Sequence, residues 1–97
     1  MRIRLVRVIE STYPANRIGA FSASDARLGA IWEASARTLQ LCMEDTYTDC
    51  PLYEQTLWVG DARNEALFAF TTFGAEDLSR RCIKLAAYSL DDYPMVQ

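Results

Sequence analysis

Between Asp61 and Gly74 the chain reads DARNEALFAFTTFG, and its central ALFAF run with Phe73 is apolar nearly all the way round a helix. A helix of that kind is buried on more than one side. The stretch therefore demands helical neighbours, and Phe68, Phe70 and Phe73 are assigned to the core. With 97 residues the chain makes one modest domain. Its 51% hydrophobic content is more than a small core needs, so some faces are shaped for contacts beyond that core.

The flanking segments supply two of those neighbours. Ser22 or Ser24 is placed to cap a first helix running to about Met43, in which Leu28, Ile31, Trp32, Ser35, Leu39, Cys42 and Met43 recur at helical spacing. A third helix is expected from about Ala75 to Leu90, with Leu78, Cys82, Leu85 and Ser89 on its stripe and DDYP as its stop. Ahead of all three, Ile3, Leu5, Val6 and Val8 alternate imperfectly with arginines, which predicts a strand over about 2–11 ended by STYPANRIG. The expected fold is mainly α: an N-terminal strand, then about three helices.

Composition removes several classes of function. The chain has no His, which excludes Ser-His catalysis, His-ligated metals and imidazole proton transfer. A net charge of −3 without any Lys/Arg-rich run offers nothing to nucleic acid or an anionic membrane. Cys42, Cys50 and Cys82 form no C-x-x-C pair and are read as free thiols in a reducing compartment, with Cys50 taken as buried and inert. Arg4 and Arg7 interrupt any signal-peptide core, and no apolar run approaches the roughly 20 residues that span a bilayer. The expected location is cytoplasmic, and no cofactor or metal is implied.

One stretch asks for a chemical explanation. From Thr38 to Ala62 there is no basic residue, yet Asp49, Glu54 and Asp61 gather there beside Tyr53, Leu57 and Trp58, in a loop bracketed by Pro51 and Gly60. Carboxylates without cations repel one another unless solvent, a metal or a hydroxyl-rich ligand compensates. A calcium loop opening at Asp45 fails, because its sixth and twelfth positions are Cys50 and Thr56 rather than Gly and Glu. A sugar site fits: carboxylates accept hydroxyl hydrogen bonds, and aromatic rings cover the C–H face of a pyranose. Burial among Leu52, Tyr53, Leu57 and Trp58 would keep a carboxyl at Glu54 protonated for glycosidic cleavage. Each residue also has a plain structural role open to it: Asp61 as helix N-cap, Trp58 as packing, Asp49 as turn former, Glu54 as a solvated loop carboxylate.

The run Asp49-Cys50-Pro51, then Glu54, Trp58 and Gly60-Asp61, resembles the hallmark of the bacterial α-L-rhamnosidases, six-hairpin glycosidases built on an (α/α)6 barrel. The resemblance covers essentially the whole chain and implies a lead-in segment over 1–20, followed by part of the catalytic domain over 21–97. It implies an inverting hydrolase of terminal α-L-rhamnosides or a similar deoxysugar. Glu54 then matches the general acid, Asp49 and Asp61 match carboxylates holding sugar hydroxyls, and Trp58 matches an aromatic wall of the subsite. The general base has no counterpart in these residues. Many members carry an extra residue and an Arg just before the acid, where this chain has Tyr53 directly before Glu54. A rhamnoside is the expected partner, the isolated chain is expected to be inactive and to self-associate, and the alternative is a non-catalytic helical module binding a protein or a sugar.

Overall fold

The computed structural model describes residues 2–94, so Met1 and residues 95–97, which the expected domain spans include, lie outside the described residues. Three helices follow in order: α1 (Ala26–Leu41), α2 (Val59–Thr72) and α3 (Glu76–Tyr88), the last running into a 3-10 turn at Ser89–Asp91. The mainly α architecture expected from the sequence is what forms.

Local chemistry sets the helix ends. Asp25, and not Ser22 or Ser24, caps α1: its Oδ1 accepts the Arg27 N–H at 2.9 Å. The Asp25 carboxylate also takes the Arg27 guanidinium at 2.6 Å, a second bond that neither serine hydroxyl offers. Helix α2 starts two residues before Asp61, because the Trp58 carbonyl accepts the Ala62 N–H at 2.8 Å and Gly60 is absorbed into the first turn. Asp61 is therefore a first-turn residue and not the N-cap. It favours the positive end of the helix by charge instead. At the other end Gly74, with φ +61°, turns the chain out of α2 while its N–H bonds the Ala69 carbonyl at 2.8 Å. Glu76 and Asp77 supply the same favourable charge to the first turn of α3.

Helix α2 lies between α1 and α3, and small residues make the close contacts: Ala62, Ala69 and Thr72 are buried along it. Around them Leu39, Met43, Phe73, Leu78 and Cys82 form the core. Tyr47, arriving from the α1–α2 connection, is fully enclosed in it. Its hydroxyl pairs with Ser79 Oγ at 2.9 Å, and its N–H donates to Cys82 Sγ at 3.3 Å. The connection is thereby tied to α3 from inside.

Two expectations about burial fail for one reason. Phe73 is buried, but Phe68 and Phe70 remain 58% and 46% exposed, and the stripe residues Leu28 and Ile31 are exposed as well. The chain has enough helix to cover one side of α2, and nothing among the described residues covers the other. The expected strand is also missing. Residues 2–10 are exposed throughout and form no ladder, since an extended segment without a partner strand cannot satisfy its backbone. Residue Glu10 reaches Arg37 across 2.9 Å.

Beyond that segment the lead-in docks firmly. The Tyr13 N–H bonds the Met43 carbonyl at 2.7 Å, and the Ile18 and Gly19 N–H groups share the Thr72 carbonyl at 2.9 and 3.0 Å. A side chain at Gly19 would collide with the Thr71 carbonyl oxygen, so only glycine permits this approach. Arg17 grips Glu33 through two bonds of 2.7 and 2.9 Å, and its guanidinium lies 4.2 Å from the centre of the Trp32 ring. The assembly is flat, 54 × 47 × 21 Å, and its 16.6 Å radius of gyration exceeds the ~13 Å of a compact chain of this length.

Candidate active site

The acidic connection is built from its backbone outward. Asp49 and Thr56 face each other across an isolated bridge, with the Asp49 N–H bonding the Thr56 carbonyl at 3.0 Å. Between them the Cys50 carbonyl accepts the N–H groups of Tyr53 at 2.9 Å and Gln55 at 3.2 Å. The Gln55 side chain closes the loop on the Pro51 carbonyl at 2.9 Å. Closing so short a loop forces Cys50 and Gln55 to φ +48° and +52°, a left-handed conformation that non-glycine residues rarely adopt. Backbone strain of this kind persists where the surroundings over-determine it, and it gathers at functional sites.

The strained loop brings the carboxylates together. Side-chain ligand atoms of Asp49, Cys50 and Glu54 all lie within 4.8 Å of one another. The Cys50 thiol is hydrogen-bonded to the Asp49 carboxylate, and that bond, with some loss of hydration and the nearby charges of Asp49, Glu54 and Asp61, pushes the thiol pKa up. Cys50 is thus exposed and engaged at the site, not buried and inert. The three groups are open enough to take a cation, but the soft thiol is protonated and Trp58 already holds one Glu54 oxygen. Solvent or sugar hydroxyls suit them better than a metal.

Trp58 orients Glu54: its Nε1 donates to Glu54 Oε2 at 2.7 Å. The Trp58 side chain stays 49% exposed, which leaves ring surface open to a ligand. Glu54 is exposed too, as are Leu52 and Tyr53, so the expected apolar enclosure of the carboxyl is not supplied by these residues. Asp61 stands on the first turn of α2, exposed, and close enough to add its charge to Cys50 and Glu65. All four residues singled out from the sequence, Asp49, Glu54, Trp58 and Asp61, therefore belong to one acidic face.

Sequence reasoning passes over Glu65. It sits one turn after Asp61 on α2, half-buried, with Oε2 enclosed and without a hydrogen-bond partner among the described residues. Burial first, then the charges of Asp61 and Asp49, push its carboxyl up to about 7, while the Cys42 thiol bonded to it pulls weakly the other way. A signal was present in the four-residue interval between Asp61 and Glu65, which puts both on one helix face.

Comparison with known proteins gives this face a context. The family model described as the bacterial alpha-L-rhamnosidase 6 hairpin glycosidase domain matches residues 16–96. The chain belongs to that family. Among solved structures, a GH78 family rhamnosidase of Bacillus sp. GL1 is similar at 52% identity with a TM-score of 0.81. The match takes in 86% of this chain and 9% of the Bacillus chain, so the chain spans less than a tenth of the rhamnosidase it resembles. No curated protein matches. The six-hairpin relationship explains the uncovered side of α2, because a toroid of hairpins buries each helix against neighbours on both sides. Among the described residues, no helix is long and apolar enough to cross a membrane.

Proposed function

We propose that this chain is the part of an inverting glycoside hydrolase that carries the general acid, Glu54, and much of the subsite for a terminal α-L-rhamnosyl or similar deoxysugar. The observation that carries the reading is the convergence of Asp49 and Glu54 on a strained loop, with Trp58 fixing the acid. Because the indole N–H occupies Oε2, the proton of the acid belongs on Oε1. In the reaction that proton passes to the glycosidic oxygen as the anomeric C–O bond breaks, and the aglycone leaves as a neutral alcohol. Water attacks the anomeric carbon from the opposite face and gives its proton to a second carboxylate, so the sugar is released with inverted configuration. Such a base stands roughly 6.5–9.5 Å from the acid and would come from a part of the barrel beyond this chain. Asp49 and Asp61 accept hydroxyl hydrogen bonds, and the open face of Trp58 covers the apolar side of the ring. Three free cysteines agree with work in a reducing compartment such as the cytoplasm.

The test exploits leaving-group chemistry. A poor leaving group needs its proton, whereas an activated aryl oxygen departs without one. In the complete enzyme, Glu54→Gln is expected to slow hydrolysis of a natural disaccharide by about 10²–10⁴-fold and that of an activated aryl rhamnoside much less. Equal losses on the two substrates would remove Glu54 from the acid role.

A further inference from the structure

We propose that Glu65 is a positioning residue for Asp49 and Asp61: as the neutral acid it leaves the two carboxylates in place beside it, and as the anion it drives them apart. The inference rests on the glycosidase reading and adds a residue that the mechanism above leaves unused. Glu65 follows Asp61 by one turn on the same face of α2, and its Oε2 is enclosed with no donor to meet it among the described residues. A buried oxygen without a donor is tolerable in a neutral carboxylic acid and costly in a carboxylate.

The surroundings reinforce that preference from every packed element. Cys42 faces Glu65 from the end of α1, Tyr47 and Asp49 from the connection, Asp61 from α2 itself and Cys82 from α3. None of these groups is a cation. With the Glu65 carboxyl pushed up to about 7, its neutral form holds through mildly acidic conditions. Hydroxyl acceptance by those two carboxylates depends on their spacing. A third negative charge arriving beside them changes that spacing and loosens the subsite.

The experiment measures kcat and KM for an aryl rhamnoside from pH 5 to 9 in the complete enzyme, for the unaltered protein, Glu65→Gln and Glu65→Leu. The unaltered KM is expected to rise about tenfold through pH 7 while kcat changes less, the effect of a like charge nearby screened by solvent. Glu65→Gln, which keeps the shape but cannot ionise, should hold KM at its acid-side value across the range. Glu65→Leu, which loses the bond to Cys42, should raise KM at every pH without a step. A KM step that survives in Glu65→Gln, or a Gln variant indistinguishable from Leu, overturns the inference. If the unaltered enzyme turns over no rhamnoside, the glycosidase reading fails by itself. The state of Glu65 is then read from carboxyl carbon chemical shifts of the unaltered protein, which needs no variant to fold. Titration near 7, with Asp61 shifting in step, upholds the positioning role, and titration near the ordinary 4.5 ends it.

Discussion

Asp49 and Asp61 carry the same charge, but the structure gives them separable liabilities. Asp49 is half-buried in the strained loop, while Asp61 is exposed and caps nothing. Changing Asp61 to Asn should therefore cost folding little, about 0.3–1 kcal/mol of helix-end electrostatics. In the complete enzyme either Asn variant should weaken rhamnose binding by roughly 1.5–3 kcal/mol per charge-assisted bond lost. Calorimetry run beside thermal melts separates the two effects, and unchanged rhamnose affinity in both variants would sink the subsite assignment. Glu65 adds a pH dependence of stability with a definite sign. Its folded-state carboxyl lies near 7 against an ordinary 4.5, so the folded form holds more protons between those values. Its contribution is fully present below pH 4.5 and is lost as pH rises through about 7. Solvent screening of a half-buried group reduces the loss to roughly 1–2 kcal/mol. Urea melts from pH 4 to 8 should show that slope in the unaltered protein and its removal in Glu65→Gln.

At the scale of elements, the α1–α2 connection holds its shape because one side chain is driven into the helices. Tyr47 is enclosed between the connection and α3, bonded to Ser79 and to the Cys82 sulfur. Removing its hydroxyl leaves Ser79 with a remaining bond to the Ala75 carbonyl at 3.2 Å, so Tyr47→Phe should cost only about 1 kcal/mol. Leu78→Ala is a different matter, because Leu78 is fully buried against the same cluster and its loss opens a cavity. About 2–5 kcal/mol of destabilisation is expected, measurable by chemical denaturation. If Tyr47→Phe were as damaging as Leu78→Ala, the connection would be held by that hydroxyl and not by packing.

The whole molecule is a layer with one face unfinished. A groove of about 640 Å³ runs between α2 and α3, walled by Leu57, Leu67, Phe70, Ile83, Ala87 and Leu90. Ile3, Leu5, Val6, Val8 and Ile9 project unpaired from the lead-in. Each large side chain left in water forgoes about 1.5–3 kcal/mol of burial, and patches of this sort drive association. The isolated chain is therefore expected to self-associate, with the extended N-terminal segments available to pair edge to edge, and to turn over no rhamnoside. Light scattering over a concentration series, beside a fluorogenic assay, is the measurement. A dilution-stable monomer with a cooperative melt would instead favour a complete module that binds a partner or a sugar without cleaving it.

Helix existence was legible from the sequence because periodicity is local: the stripe through Leu39 and Met43, the break at Gly74 and the Leu78–Cys82 interval each report their own turn of chain. The clustering of Asp49, Glu54, Trp58 and Asp61 was legible for a related reason, since the four lie within thirteen consecutive residues. Burial was not legible. Whether Phe68 or Phe73 is covered depends on which neighbours exist, and that is a property of the assembly and not of the ALFAF run. Strand formation failed for the same reason, because an alternating pattern describes a surface and the ladder requires a second chain segment. Glu65 needed the tertiary structure most of all. Its meaning comes from Cys42 on one helix, Tyr47 and Asp49 in a loop and Cys82 on another helix, groups that folding alone brings to a single carboxyl.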